Sequence, residues 1–183
     1  YGGEDLNMYE ESLVKITNKQ ERKIIELEAK LAAKPTVNNV TNINIQVNGY
    51  RDTDFSKLTD NHFSAALNKT LMSVPKLIEY THFNSKLPEN HNIYISNQKG
   101  KYAMVYDGND WCIKDQDKTI NKLIDDQEYE LEEWVNKVGD DHPKEMKKFQ
   151  KYMNVKEKDG AEEVMKEEIR MLLYNKRNVV KSR

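Results

Sequence analysis

Apolar residues at the head of the chain recur every seven positions, with Leu6, Leu13, Gln20 and Leu27 at one seam position and Glu10, Thr17, Ile24 and Leu31 at the other. That repeat predicts a coiled coil over residues 6–31. Leu13, Gln20, Ile24, Leu27 and Leu31 form its seam. Ile24 at a and Leu27 at d is the combination that favours two parallel strands, and Lys23 and Glu28 can pair across them. Polar seam residues such as Gln20 and Thr17 lower stability but fix register. A single amphipathic helix lying on its own domain is the alternative, and the almost wholly charged opposite face argues against it. Pro35 ends the helix.

The period then changes to two. Ile43, Ile45 and Val47 alternate with Asn42, Asn44, Gln46 and Asn48, which predicts an asparagine-rich linker over residues 35–51 whose second half is a strand. From Thr59-Asp60 the spacing of Phe63, Ala66, Leu67 and Leu71 predicts a capped helix. Ser73 and Pro75 open a second one, carrying Leu77, Ile78 and Tyr80 to His82. Two short helices on a tight turn suggest a helix-turn-helix. A plain helical hairpin is the preferred reading, since the second helix offers only Lys76 and Asn84 as base readers.

The stretch from His82 to Trp111 is the densest in turn residues and alternation. It predicts strands at Ile93-Tyr94-Ile95 and Tyr102-Ala103-Met104-Val105-Tyr106, with Gln98-Lys99-Gly100 turning between them and a third strand at Trp111-Cys112-Ile113. A three-stranded meander needs a helical cover on one face. Trp111 and Tyr106 are expected to be buried under a long helix over residues 114–138 that carries Leu123 and Trp134. A helix opening at His142-Pro143 and a last one over residues 161–175 follow, and the basic tail KRNVVKSR is expected to fray. The fold class is thus α+β: an N-terminal parallel coiled coil (1–34), the linker (35–51), and a C-terminal module (52–183) in which a small antiparallel meander packs against several helices.

At 183 residues the chain holds one ordinary domain plus an extension, and its formal net charge of −2 denies it a global electrostatic attraction to nucleic acid. Any basic surface must be local. The single cysteine, Cys112, excludes an intrachain disulfide and any cysteine-rich zinc site within these residues. No run approaches a membrane span and none resembles a signal peptide, so a soluble, intracellular protein with no membrane partner is expected. A start at Tyr1-Gly2-Gly3 without Met is expected of a fragment.

Candidate chemistry clusters around Pro88, where His82, Asn84, Asn90, His91 and Asn92 gather. Histidine and asparagine beside a hairpin suit a metal-dependent nuclease of the His-Asn-His kind, with His82, Asn84 and His91 in the working positions. The helix such a site needs directly after the hairpin is missing, and the preferred reading has these residues satisfying backbone groups at helix and strand ends. Tyr94, Tyr102, Tyr106, Trp111 and Trp134 offer stacking faces for single-stranded nucleic acid, though aromatics on a short sheet are more often core. Lys144, Lys147, Lys148 and Lys151, with Lys176, Arg177, Lys181 and Arg183 in the tail, are candidate phosphate contacts. Asp107, Asp110, Asp115 and Asp117 would suit a divalent ion, or simply turn chemistry. With no phosphate-binding glycine loop, nucleophile elbow or metal-protease histidine pair, neither an enzyme nor a cofactor is expected.

The run LIEYTHFNSKLPENHNIYISNQKGKYAMVYDGNDW and the closing EEIRMLLYNKRNVV resemble a family of proteins encoded by giant viruses of the mimivirus group. The resemblance spans nearly the whole chain. Members of that family often carry a two-Cys two-His zinc finger upstream of the coil; no such finger lies here, so no zinc ligand transfers to these residues. The resemblance implies a viral protein of the infected cell's cytoplasm, at the viral factory, or of the virion. It implies a homo-oligomer, with a dimer favoured, in which a coil joins a nucleic-acid reader to a C-terminal module. The expected function is an oligomerisation and interaction unit of a DNA-associated protein. A His/Asn nuclease and a virion assembly protein are the alternatives.

The seam makes a direct prediction: the chain should be at least dimeric in solution, and Leu27→Asp should reduce its mass by light scattering to that of the monomer. A wild type that is already monomeric removes the coil.

Overall fold

A computed structural model of the chain describes residues 45–182. The predicted coil, its seam Leu13, Gln20, Ile24, Leu27 and Leu31, the first half of the linker and Arg183 lie outside the described residues. The described elements all belong to the compact unit that begins at Asn44.

Helix α1 spans Asp60–Leu67 and α2 spans Ser73–His82. His62 reaches back so that its Nδ1 accepts from the Thr59 N–H at 3.0 Å, closing the first turn. The sequence pattern carries α1 on to Leu71, but it stops at Leu67. Thr70 adopts a left-handed φ of 53°, and a 3-10 turn at Thr70–Met72 restarts the chain as α2. Ser73 Oγ donates to Thr70 O at 2.5 Å across that junction. Ser73, Val74, Pro75, Leu77, Ile78, Thr81 and His82 are all buried, so α2 is enclosed by α1 and by the helices that come later in the chain. Only Lys76, Glu79 and Tyr80 are half-exposed, and Lys76 is paired with Glu79 at 2.7 Å, so α2 offers little surface for a DNA groove and the pair is a helical hairpin.

The strands are β1 (Ile93–Tyr94), β2 (Tyr102–Tyr106) and β3 (Trp111–Asp115), antiparallel in the order β1-β2-β3. Ile93 stands opposite Val105, Val105 opposite Cys112, and Tyr106 opposite Trp111. Since opposed residues share a face, Ile93, Ala103, Val105, Cys112 and Lys114 lie on one side and Tyr94, Tyr102, Met104, Tyr106, Trp111 and Ile113 on the other. Only the first side is covered. Ile93, Ala103 and Val105 are buried there with Ile95, whose N–H donates to Leu173 O at 3.3 Å.

The cover comes from α3 (Gln116–Val138) and α5 (Ala161–Asn175). Helix α3 starts without a linker after β3: Asp115 caps it, its carboxylate accepting from the Lys118 N–H at 2.9 Å. It buries Ile120, Leu123, Ile124, Leu131, Trp134 and Val135 along one stripe, and Gly139 at φ 50° ends it. Helix α4 (Pro143–Lys156) packs on α1 and α3 and fully buries Tyr152. Helix α5 contributes Met165, Ile169 and Leu173 at four-residue spacing. The tail expected to fray instead forms a short helix, α6 (Arg177–Lys181), whose Val180 is buried beside β1. Residues 45–49, expected in a strand, run without regular pairing, joined to the rest by an Asn48 N–H to Glu89 O bond of 2.7 Å. Among the described residues no helix is long and apolar enough to cross a membrane.

The expectation for Trp111 is therefore corrected. Its ring is 38% exposed, on the outer face, and touches Tyr94 and Tyr106 rather than α3. Of the two faces of β2, the helices take the one with the smaller residues, Ala103 and Val105, which lets their backbones approach the sheet closely. Trp134 does sit in the core, stacked on Phe63 at 5.1 Å with its Nε1 donating to Asp60 at 2.8 Å. Trp134→Ala should cost roughly 3–5 kcal/mol in urea unfolding. Trp111→Ala should cost only about 1–2 kcal/mol, the loss of ring contacts on an open face.

Candidate functional site

The His/Asn residues around Pro88 form a hydrogen-bonded knot. His82, at the end of α2, is 1% exposed, and its Nδ1 lies 2.9 Å from Asn92 Oδ1 and 3.3 Å from Asn90 O. Both partners are oxygens, so Nδ1 carries the proton. Asn92 uses its own Nδ2 on Thr53 Oγ1 at 3.0 Å and Asn48 O at 3.3 Å. Asn90 donates to Asp54 O at 2.7 Å, and its Oδ1 accepts from the Asp54 N–H at 3.0 Å and from Asn48 Nδ2 at 3.3 Å. His91 Nε2 donates to Asn84 O at 2.9 Å, and Asn84 Oδ1 accepts the Lys86 N–H at 3.0 Å.

The knot thus grips an arm, residues 48–55, whose first part, up to residue 51, the sequence assigns to the linker and whose remainder it assigns to the C-terminal module. Tyr50 of the arm stacks on His82 with rings 5.8 Å apart and 14° from parallel, and its hydroxyl donates to Asp126 Oδ2 at 3.0 Å. Gly49 presses on the β2–β3 turn so closely that a Cβ there would lie 2.7 Å from Asp107 O. Each histidine is engaged with a different partner, and His82 is sealed under Tyr50. Burial pushes its imidazole down to about 4, against the pull of the Asn92 and Asn90 bonds, so it is neutral near pH 7.

Three of the four candidate aspartates are likewise engaged. Asp107 accepts from the N–H groups of Asn109 (2.8 Å) and Asp110 (2.9 Å), which hold its carboxyl down to about 2. Asp115 caps α3, and Asp117 meets Arg170 at 3.2 Å. Among the described residues no three His, Cys, Asp or Glu side chains converge as a metal would require.

The outer face of the sheet is different, because it is open at Tyr102, Trp111 and Ile113 and only half-buried at Tyr94, Met104 and Tyr106. Tyr102 is 63% and Ile113 67% exposed, and Trp111 meets Tyr94 edge-on at 5.1 Å and Tyr106 at 5.4 Å. Rings on neighbouring strands of one face form a platform of the kind on which bases stack. Cations border it: Lys181 Nζ sits 5.1 Å from the Tyr94 ring centre, and exposed Lys99 and Lys101 precede Tyr102 with no ion pair among the described residues. Alternation points to this face; it leaves open which side the helices take.

The other predicted phosphate contacts divide. Lys144, Lys147 and Lys151 are exposed on α4 without an ion pair among the described residues, whereas Lys148 meets Glu145 at 3.2 Å. Lys176 pairs with Glu79 at 3.1 Å, and Arg177 lies over the Tyr174 ring at 3.9 Å while donating to Tyr174 O. The last two hold the tail helix in place.

No family model, no curated protein and no solved structure matches this chain.

The knot predicts a pH dependence. His82 binds its proton more weakly folded (about 4) than unfolded (6.5), so its contribution is fully present above pH 6.5 and lost as pH falls towards 4. The shift amounts to roughly 3 kcal/mol at one pKa unit per 1.36 kcal/mol. Urea unfolding at pH 7 and pH 4.5 should show a large part of that loss in the wild type, and His82→Gln should flatten it.

Proposed function

We propose that this chain is an oligomerisation and interaction module of a virus-encoded, DNA-associated protein, and that its globular unit binds single-stranded nucleic acid on the outer face of the sheet. The observation that carries this reading is the cluster of exposed Tyr102 and Trp111 with half-buried Tyr94 and Tyr106, with Lys181 over the Tyr94 ring and exposed Lys99 and Lys101 in the turn before Tyr102. Aromatic rings take the π-face of any base, and lysines at the border meet the phosphates between them. Ile113 and Met104 fill the gaps between the rings with apolar surface. The role of the coil, to bring two such faces onto one strand, follows from the heptads and raises affinity through effective concentration.

The nuclease alternative draws less support. Its three residues belong to the knot: His82 is buried and neutral, His91 Nε2 donates to Asn84 O, and Asn84 Oδ1 accepts the Lys86 N–H. A virion assembly role requires the same coil but gives no reason for rings and lysines to share one open face.

Fluorescence anisotropy of a labelled oligo-dT tests the proposal. Binding should weaken with salt, and Trp111→Ala or Tyr102→Ala should each cost about 1–3 kcal/mol of affinity. Both positions are exposed enough for the variants to fold. An affinity unchanged in the double variant, or no binding at low salt, removes the reading.

A further inference from the structure

A second feature lies beside the outer face and shares Tyr106 with it. The arm, the β2–β3 hairpin and the first half of α3 border an open cleft of about 890 Å³. Its size falls in the range of small-molecule sites. The arm contributes Tyr50, Arg51 and Phe55, the hairpin Val105 and Lys114, and α3 a row running Lys118, Lys122, Asp126, Tyr129 and Glu130.

Charge along that wall is ordered. Arg51, Lys114 and Lys118 make no ion pair among the described residues, while Lys122 is tied to Asp126 on the next turn. Asp107 and Asp115 line the same cleft, Asp107 held by turn N–H groups and Asp115 by the α3 cap, and neither forms an ion pair among the described residues. Lys114 and Lys118 thus stand where α3 begins without an ion pair among the described residues, and Arg51 lines the same cleft. At the other end stands Glu130, which has no ion-pair partner among the described residues and whose carboxyl is pushed up by burial and by Glu133 and Asp126. Between them lie aromatic and apolar side chains of Tyr50, Phe55, Val105 and Tyr129. Lys118 and Asp126 are eight residues apart, about 12 Å along a helix axis.

A ligand matching this wall carries an anion at one end, a flat apolar body, and hydrogen-bond donors at the other. We propose that the cleft binds a nucleoside monophosphate with an amino-bearing base. The phosphate meets Lys114, Lys118 and Arg51, the base lies against Tyr129 and Phe55, and its exocyclic amine donates towards Glu130. Because Tyr50, Arg51 and Phe55 belong to the arm, a bound ligand also ties the arm to α3 and the hairpin, and it stabilises the fold by mass action.

Thermal unfolding and isothermal titration of the full chain with adenosine 5′-monophosphate, adenosine, and inorganic phosphate provide the test. The monophosphate should raise the melting temperature and bind at least tenfold more tightly than either part alone. Lys114→Ala with Lys118→Ala should weaken it roughly tenfold or more, the scale of charge-assisted bonds. Tyr129→Ala should weaken the monophosphate and adenosine but not phosphate. All three positions are exposed, so the variants fold, and circular dichroism checks this. Equal binding of uridine and adenosine monophosphates would refute the role of Glu130. No heat and no melting shift at millimolar nucleotide, or affinity untouched by the lysine changes, overturns the site. Displacement of bound oligo-dT by the nucleotide would also overturn it, since the cleft would then be reading strand phosphates. Oligo-dT binding that survives in the lysine variant keeps the two surfaces distinct.

Discussion

The bonds from Asn90 and Asn92 to the arm, with His82 Nδ1 held against Asn92 Oδ1 and Asn90 O behind them, are the constraint on which the rest of the unit depends. Two asparagine side chains on one short loop satisfy the backbone or side-chain groups of Asn48, Thr53 and Asp54. A buried polar group left without its partner costs about 1–3 kcal/mol, so removing any one member strands the others. The knot does more than hold the arm. It places Tyr50 over His82 and against Asp126, sets Gly49 on the hairpin turn, and so forms one wall of the cleft. A histidine, which in another setting would be a catalyst or a ligand, is here kept neutral and used as a hydrogen-bond donor.

The second constraint is that the helices cover one face of the sheet. Helix α3 leaves β3 at Asp115 without a linker and passes under the side on which Ala103 and Val105 lie, and α5 joins it there through Leu173. The larger residues are left outward. An open face of rings costs little stability but exposes apolar surface, a feature that in compact proteins marks interaction sites. The fold and its open face then share one cause: the small inner residues that admit the helices leave the large ones outward.

Much of this is legible in the chain. Strand alternation locates β1, β2 and β3 to within two residues, and the four-residue spacing of Met165, Ile169 and Leu173 locates α5. The sequence offers Asp115 and Asp117 as alternative caps for α3, of which Asp115 serves, and Gly139 opens the turn that stops it. Local pattern cannot say which face of β2 is inner, since Ala103/Val105 and Tyr102/Tyr106 both make a period of two. Only the path of α3 decides it, and that path is tertiary. The same holds for the tail: KRNVVKSR reads as a basic, frayed end, yet Val180 has a place in the core and α6 folds around it. The early end of α1 reflects a left-handed Thr70, a residue type that gives no warning of positive φ. The His/Asn cluster stands out in the sequence as a unit, but its target, an arm some forty residues earlier in an asparagine-rich stretch, cannot be read from spacing.

The claim that bases stack on the outer face is tested most directly by photocrosslinking. An oligodeoxynucleotide carrying 5-bromouracil, irradiated on the full chain and mapped by mass spectrometry, should mark Tyr94, Tyr102, Tyr106 or Trp111. Adducts confined to the helices that carry Lys144, Lys147 and Lys151, or no adduct under conditions where the oligonucleotide is bound, would contradict it.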